Sequence, residues 1–156
     1  FTEKVELSRC SAYVLCMNQT LDQLREDFSC LEDWEDRYKH VIELGRALDV
    51  MPDALKTPST KVSGCASQVW IHSRVENAAS GRKLLLQGDS DALIVKGLIA
   101  IAFIIYAPLT VEAIANFDAV PVFAELGLKD HLTPQRSNGL ASMVARIKAD
   151  ARAALQ

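Results

Sequence analysis

Apolar positions along this chain follow two periods, and each period predicts its own kind of element. Trp34, Tyr38, Val41, Ile42, Gly45 and Leu48 recur at helical spacing, so Glu32–Leu48 reads as an amphipathic helix. Leu140, Met143, Val144, Ile147 and Ala151 form one stripe on a long terminal helix over about Gln135–Leu155. Between them the period drops to two. In Ser67–Val75, Val69, Ile71 and Val75 alternate with Trp70, His72 and Arg74, which is strand patterning. Asn77–Gly81 supplies turn residues, and Arg82–Gly88 reads as a second strand, so the two predict an antiparallel hairpin. Ala92–Leu109 has no period because it is almost wholly apolar. A spanning helix needs about 20 such residues. This run carries Lys96, ends at Pro108 and follows Asp89 and Asp91. It predicts a buried central helix, about Asp91–Tyr106, with other elements packed on both sides.

Capping signals complete the outline. Thr20-Leu-Asp-Gln23 fits a capping box, predicting a short helix to about Phe28. Asp89 or Ser90 is placed to cap the central helix, and Thr110 a short helix over Val111–Asn116. Val120–Leu126 predicts another helical turn, closed by Gly127. Pro52 and Pro58 mark an irregular stretch running to about Gly64. Strands cluster and do not alternate with helices, so the predicted class is α+β, helices packed on a small antiparallel sheet. Residues 20–156 read as one domain, and residues 1–19 as an N-terminal extension or added residues.

Composition narrows the function classes. The 156 residues are 49% hydrophobic and 24% charged, ordinary for a globular domain that needs no metal or disulfide staple. Net charge is −3 with no basic stripe, which argues against a nucleic-acid partner. Cys10, Cys16, Cys30 and Cys65 make no CxxC pair and no zinc-type spacing, and are read as reduced cytoplasmic thiols. The chain begins with Phe, and the apolar run 13–17 is too short for a signal-peptide core.

Few residues suggest chemistry. There is no GxGxxG, P-loop, GxSxG or HExxH. His40 is expected at the surface of its helix, His72 exposed or packed on the strand face opposite Val69, and Cys30 as buried filler. The acidic run Glu32–Asp36, around Trp34, suits a helix N-terminus. The informative stretch is Lys61–Trp70, KVSGCASQVW. Cys65 lies between an irregular loop and a strand, after a glycine that permits a sharp turn, and between the small polar Ser63 and Ser67. A thiol on such a loop can reach another protein's sulfur. Burial as a structural cysteine is the competing reading, and composition alone favours it.

VSGCASQVW resembles the cysteine motif of the SufE family, sulfur-acceptor partners of cysteine desulfurases in iron–sulfur cluster assembly. The resemblance extends through EDWEDRYKHVIELGRAL (32–48), LQGDSDALIVKGLIAIAFIIY (86–106) and NFDAVPVFAELGLKDHLTPQRSNGLASMVARI (116–147), in one order from about Thr20 onward. It implies a SufE/NifU-like α+β fold and a persulfide acceptor at Cys65. The partner desulfurase would carry pyridoxal phosphate, leaving this chain without cofactor or metal. Sulfur would pass from a SufS-like desulfurase through Cys65 to a SufBCD-like scaffold, with desulfurase turnover stimulated. By the family pattern, Ser63, Gly64, Ser67 and Gln68 flank the site. Asp89 and Asp91 could hold its loop, Arg136 could pair with a carboxylate or draw off the thiol proton, and His131 could carry protons nearby. A loop bracketed by Pro58 and Gly64 that hides Cys65 at rest would shield a persulfide.

Competing readings are a CsdE-type acceptor for a different desulfurase, a non-catalytic adaptor, a cluster scaffold and a cysteine hydrolase. A scaffold needs several converging thiolates, and the resembling region offers no cysteine after Cys65. A hydrolase needs a base oriented by a third group, which the dispersed histidines do not signal. Neither membrane nor nucleic acid is expected as a partner, and a homodimer is left open.

Overall fold

The computed structural model describes residues 20–79 and 81–156. Helix α1 (Leu21–Ser29) opens on the expected capping box: the Thr20 hydroxyl accepts from the Gln23 amide, and the Gln23 side chain accepts from the Thr20 amide. Helix α2 (Trp34–Arg46) follows, with Glu35 and Asp36 in its first turn. An irregular segment contains one short 3-10 turn at Asp53–Leu55. Strands β1 (Val69–Ala78) and β2 (Gly81–Ser90) form the antiparallel hairpin, in a register that sets Val69 opposite Ser90 and Ala78 opposite Gly81. β1 runs past its expected end at Val75 and β2 past both of its expected ends, because cross-strand pairing absorbs residues that alone look like turn formers.

Helix α3 (Leu93–Tyr106) is the buried centre, with ten of its fourteen residues buried. It packs on α2, on β2 and on the terminal helix. No helix among the described residues is long and apolar enough to cross a membrane. Helix α4 (Val111–Asn116) is capped by the Thr110 hydroxyl, and α5 (Val120–Glu125) ends before Gly127 at φ +75°. Helix α6 (Pro134–Ala154) buries Leu140, Met143, Val144, Ile147 and Ala151. The architecture is α+β, as the patterning predicted.

The α2–α3 joint is unusually close. A Cβ on Gly97 would lie 2.5 Å from the Val41 side chain and 2.7 Å from its carbonyl carbon, and one on Gly45 would lie 2.6 Å from the Gly97 nitrogen. The backbones touch because neither glycine has a side chain.

Four local expectations are corrected. His40 is buried, not at the surface: Phe28 of α1 meets its ring edge-on at 5.4 Å, and burial pushes its pKa down. Its Nε2 lies 3.9 Å from Asp27, beyond hydrogen-bond reach. Cys30 is exposed, because Leu24 and Phe28 take the inward positions of α1 and Cys30 only caps it. Neither Asp89 nor Ser90 is the N-cap of α3. Both belong to β2, the N-cap is Ala92, and the Ser90 hydroxyl reaches only the Ala92 amide at 3.2 Å. Ser67 and Gln68, read as the start of the first strand, lie outside β1, which begins at Val69. Cys10 and Cys16 lie outside the described residues.

Candidate functional site around Cys65

The segment from Lys56 to Gln68 crosses from the 3-10 turn to β1, and it is tied at both ends. At its start, the Lys56 ammonium meets Asp89 at 2.8 Å and lies 5.4 Å above the Trp70 ring. Asp89 also pairs with Lys96 at 3.3 Å and accepts the Ser90 amide at 2.8 Å. Partial burial would raise the Asp89 carboxyl, but Lys56, the Ser90 amide and Lys96 together hold it below the usual carboxylate range. At the far end, the Gln68 amide donates to Asp91 Oδ1 at 3.0 Å and the Asp91 amide returns a bond to the Gln68 carbonyl at 3.3 Å. Between these clasps, Val62 and Thr60 pair with β1 through the Val62 amide to Val69 and the Ile71 amide to Thr60.

Helix α6 receives the middle of the loop. Arg146 donates to the carbonyls of Ser59 at 2.6 Å and Lys61 at 3.4 Å. Asp150 holds Arg146 at 3.0 Å and accepts from Ser73 of β1 at 2.9 Å, so the tether is anchored to the sheet. Gly64 adopts φ +88°, and a Cβ there would stand 2.6 Å from the Ser142 hydroxyl. Glycine is therefore favoured by the left-handed conformation, and a Cβ would also oblige the Ser142 hydroxyl to turn aside.

This geometry turns Cys65 inward. Its sulfur donates weakly to the Gly139 carbonyl at 3.6 Å. A pocket of about 20 Å³ adjoins it, lined by Ser67, Val95, Leu98, Arg136, Gly139 and Met143 among others. That is room for about one water-sized atom. Cys65 is partly buried, and burial pushes its thiol up. A raised thiol holds a smaller thiolate fraction at neutral pH.

The sequence-predicted residues divide accordingly. Gly64, Ser67, Gln68, Asp89 and Asp91 belong to the loop, its pocket or its clasps. Arg136 lines the pocket, while Ser63 is exposed. His131 does not line it: its ring stacks on Trp34 at 4.4 Å and 13°. Gly139, Ser142, Arg146 and Asp150 escaped sequence reasoning as site residues. Their spacing of 3, 4 and 4 is the only signal, and it reads as an ordinary helix face.

The site is thus a single thiol on a clasped loop, seated in a small pocket against a helix of an α+β domain. The chain belongs to the SufE family: the family's Fe-S metabolism associated domain matches residues 22–151. A SufE-like protein of Rhizobium meliloti is 46% identical over 136 residues, 87% of this chain and 97% of that one. One of Rhizobium etli is 47% identical over 133 residues, 85% and 90%. The solution structure of a hypothetical protein from Thermus thermophilus shares the fold, with a TM-score of 0.69 at 24% identity over 86% of this chain and 95% of that one. Membership assigns the chain to iron–sulfur metabolism.

Proposed function

We propose that this protein accepts sulfur from a cysteine desulfurase on Cys65 and passes it to an iron–sulfur assembly scaffold. The carrying observation is the seat of Cys65: a partly buried thiol on a loop, facing a pocket of about 20 Å³. The chemistry is one thiolate displacement. Cys65 loses its proton to solvent, and its sulfur attacks the outer sulfur of the desulfurase persulfide. The persulfide S–S bond breaks and the desulfurase cysteine leaves as a thiolate. Cys65 then bears the persulfide. Attack on the inner sulfur would give a mixed disulfide, so selectivity comes from how the loop presents Cys65. The reaction needs no cofactor on this chain, and pyridoxal phosphate stays with the desulfurase.

The same seat supports gating. Docked on α6, the thiol is screened and its ionisation suppressed. Released, it gains solvent and thiolate character. The small pocket beside the sulfur has space for one added atom, which would shelter the persulfide after transfer. A SufS-like desulfurase, a SufBCD-like acceptor and a cytoplasmic setting complete this reading.

Peptide mass spectrometry after incubation with the desulfurase and L-cysteine tests it. Added sulfur on the Cys65 peptide, absent in Cys65→Ser, is expected. An unmodified Cys65 beside an active desulfurase overturns the transfer, and full stimulation by Cys65→Ser transfers the role to an adaptor. Alkylation of Cys65 should quicken when the desulfurase is added; one rate with and without it removes the gating.

A further inference from the structure

A cavity far larger than the pocket beside Cys65 lies away from it. It holds about 370 Å³ between α2, α3 and β2, and its lining includes six consecutive residues of β2, Lys83–Gly88. Successive strand residues point to opposite faces. A cavity touching all six must therefore run along the strand's edge.

That edge is open. On the other side of the hairpin, the Val69 carbonyl and the Ile71 amide bond Val62 and Thr60, so the main-chain groups of these β1 residues point away from β2. Antiparallel pairs alternate between facing and averted groups. Gly88, opposite Ile71, and Leu86, opposite Ser73, therefore turn their amides and carbonyls away from β1. Among the described residues, neither makes a backbone hydrogen bond to another element. The α3–α4 connection covers the edge at one end, through the bridge of Lys83 to Thr110. The walls beside the open stretch are apolar: Leu44, Ala47 and Leu48 of α2 and its end, and Phe103 and Ile104 of α3. At the mouth stand Asp49 and Glu76, both exposed, with no ion-pair or hydrogen-bond partner among the described residues. The lining's one lysine, Lys83, is engaged by the Pro108 carbonyl.

We propose that this groove takes an extended segment of a partner polypeptide as a third strand, with apolar side chains at alternate positions and a basic residue at the mouth. Main-chain groups of Leu86 and Gly88 would pair with the added strand. Its inward side chains would meet Phe103 and Leu48, and the basic residue Asp49 and Glu76. Paired backbone groups are what an open edge lacks, and apolar walls suit alternate side chains better than a polar ligand. The inference is independent of sulfur transfer.

The test titrates the ¹⁵N-labelled full chain with a synthetic octapeptide of alternating valine and threonine carrying one lysine. Saturable shifts of the Leu86 and Gly88 amides are expected, with their hydrogen exchange slowed about tenfold or more and that of Gln68 unchanged. Glu76→Lys, on an exposed position, should weaken binding about threefold or more, and Ala47→Trp, which fills the groove, should abolish it. Absence of shifts overturns the proposal. So do Leu86 and Gly88 amides already protected in the free chain: at any concentration this would mean cover by residues 1–19, and only at high concentration cover by a second copy.

Discussion

Two joints in this molecule place a helical glycine at the contact, and they are built to opposite ends. At the α2–α3 crossing, Gly97 and Gly45 bring backbone against backbone, and a Cβ at either would fall within 3 Å of main-chain atoms. At the α6 seat, a Cβ on Gly139 would stand 3.6 Å from the Cys65 sulfur, an ordinary contact. The first joint joins two buried apolar faces, with no polar tether between them among the described residues. The second holds a loop by an arginine and one weak thiol bond, with an ion pair and an amide–carboxylate clasp at the loop's two ends. Apolar area removed from water cannot be released without large cost. Exposed or half-exposed hydrogen bonds can, because water replaces them at a net difference of about 1 kcal/mol each. The comparison separates a permanent joint from a releasable one.

Substitutions at the glycines sharpen that contrast. Gly97→Ala should have the largest effect, because backbone cannot yield as a side chain can. We expect a loss of about 3 kcal/mol or more in denaturant unfolding, with the midpoint reporting it. A loss below about 1 kcal/mol would mean that α2 and α3 slide freely, and the contrast would fail. Gly64→Ala should come next, with left-handed backbone and the Ser142 contact both opposed. About 1–2 kcal/mol of local strain should lift the loop, leave global stability little changed, and speed alkylation of Cys65 about tenfold. Unchanged alkylation would mean that the thiol's shelter does not depend on this turn. Gly139→Ala should be mildest, within about 1 kcal/mol, its methyl resting against the sulfur. Its expected signature is a persulfide that forms on Cys65 more slowly, measured by timed mass spectrometry, in a protein of near-normal stability.

His40 shows a different limit of sequence reading. It occupies a helical position compatible with either face, and only the placement of Phe28 and α1 over it decided burial. Cys30 failed in reverse: its apolar neighbours suggested the core, but it is the C-cap of α1 and is exposed. The site was partly legible for the same reason. Loop residues next to Cys65 are local in sequence, so Gly64, Ser67 and Gln68 could be named. The clasp by Asp91 is 23 residues away and the tether by Arg146 about 85. Nothing in a helical repeat announces which of its polar residues will meet a distant loop.

By itself the sequence determined the elements and singled out Cys65 as the candidate thiol. Periods of 3.6 and 2 are local consequences of backbone geometry, and caps such as Thr20, Thr110 and Gly127 act within a few residues. The family resemblance, carried by long stretches in register, added the expectation of sulfur chemistry. Tertiary structure decided what no local rule contains: that α2 meets α3 at bare backbone, that α6 shelters Cys65, that His131 goes to Trp34, and that β2 has an edge left open by the described residues. Those depend on the relative placement of whole elements, which is set by burying the apolar faces of all of them at once.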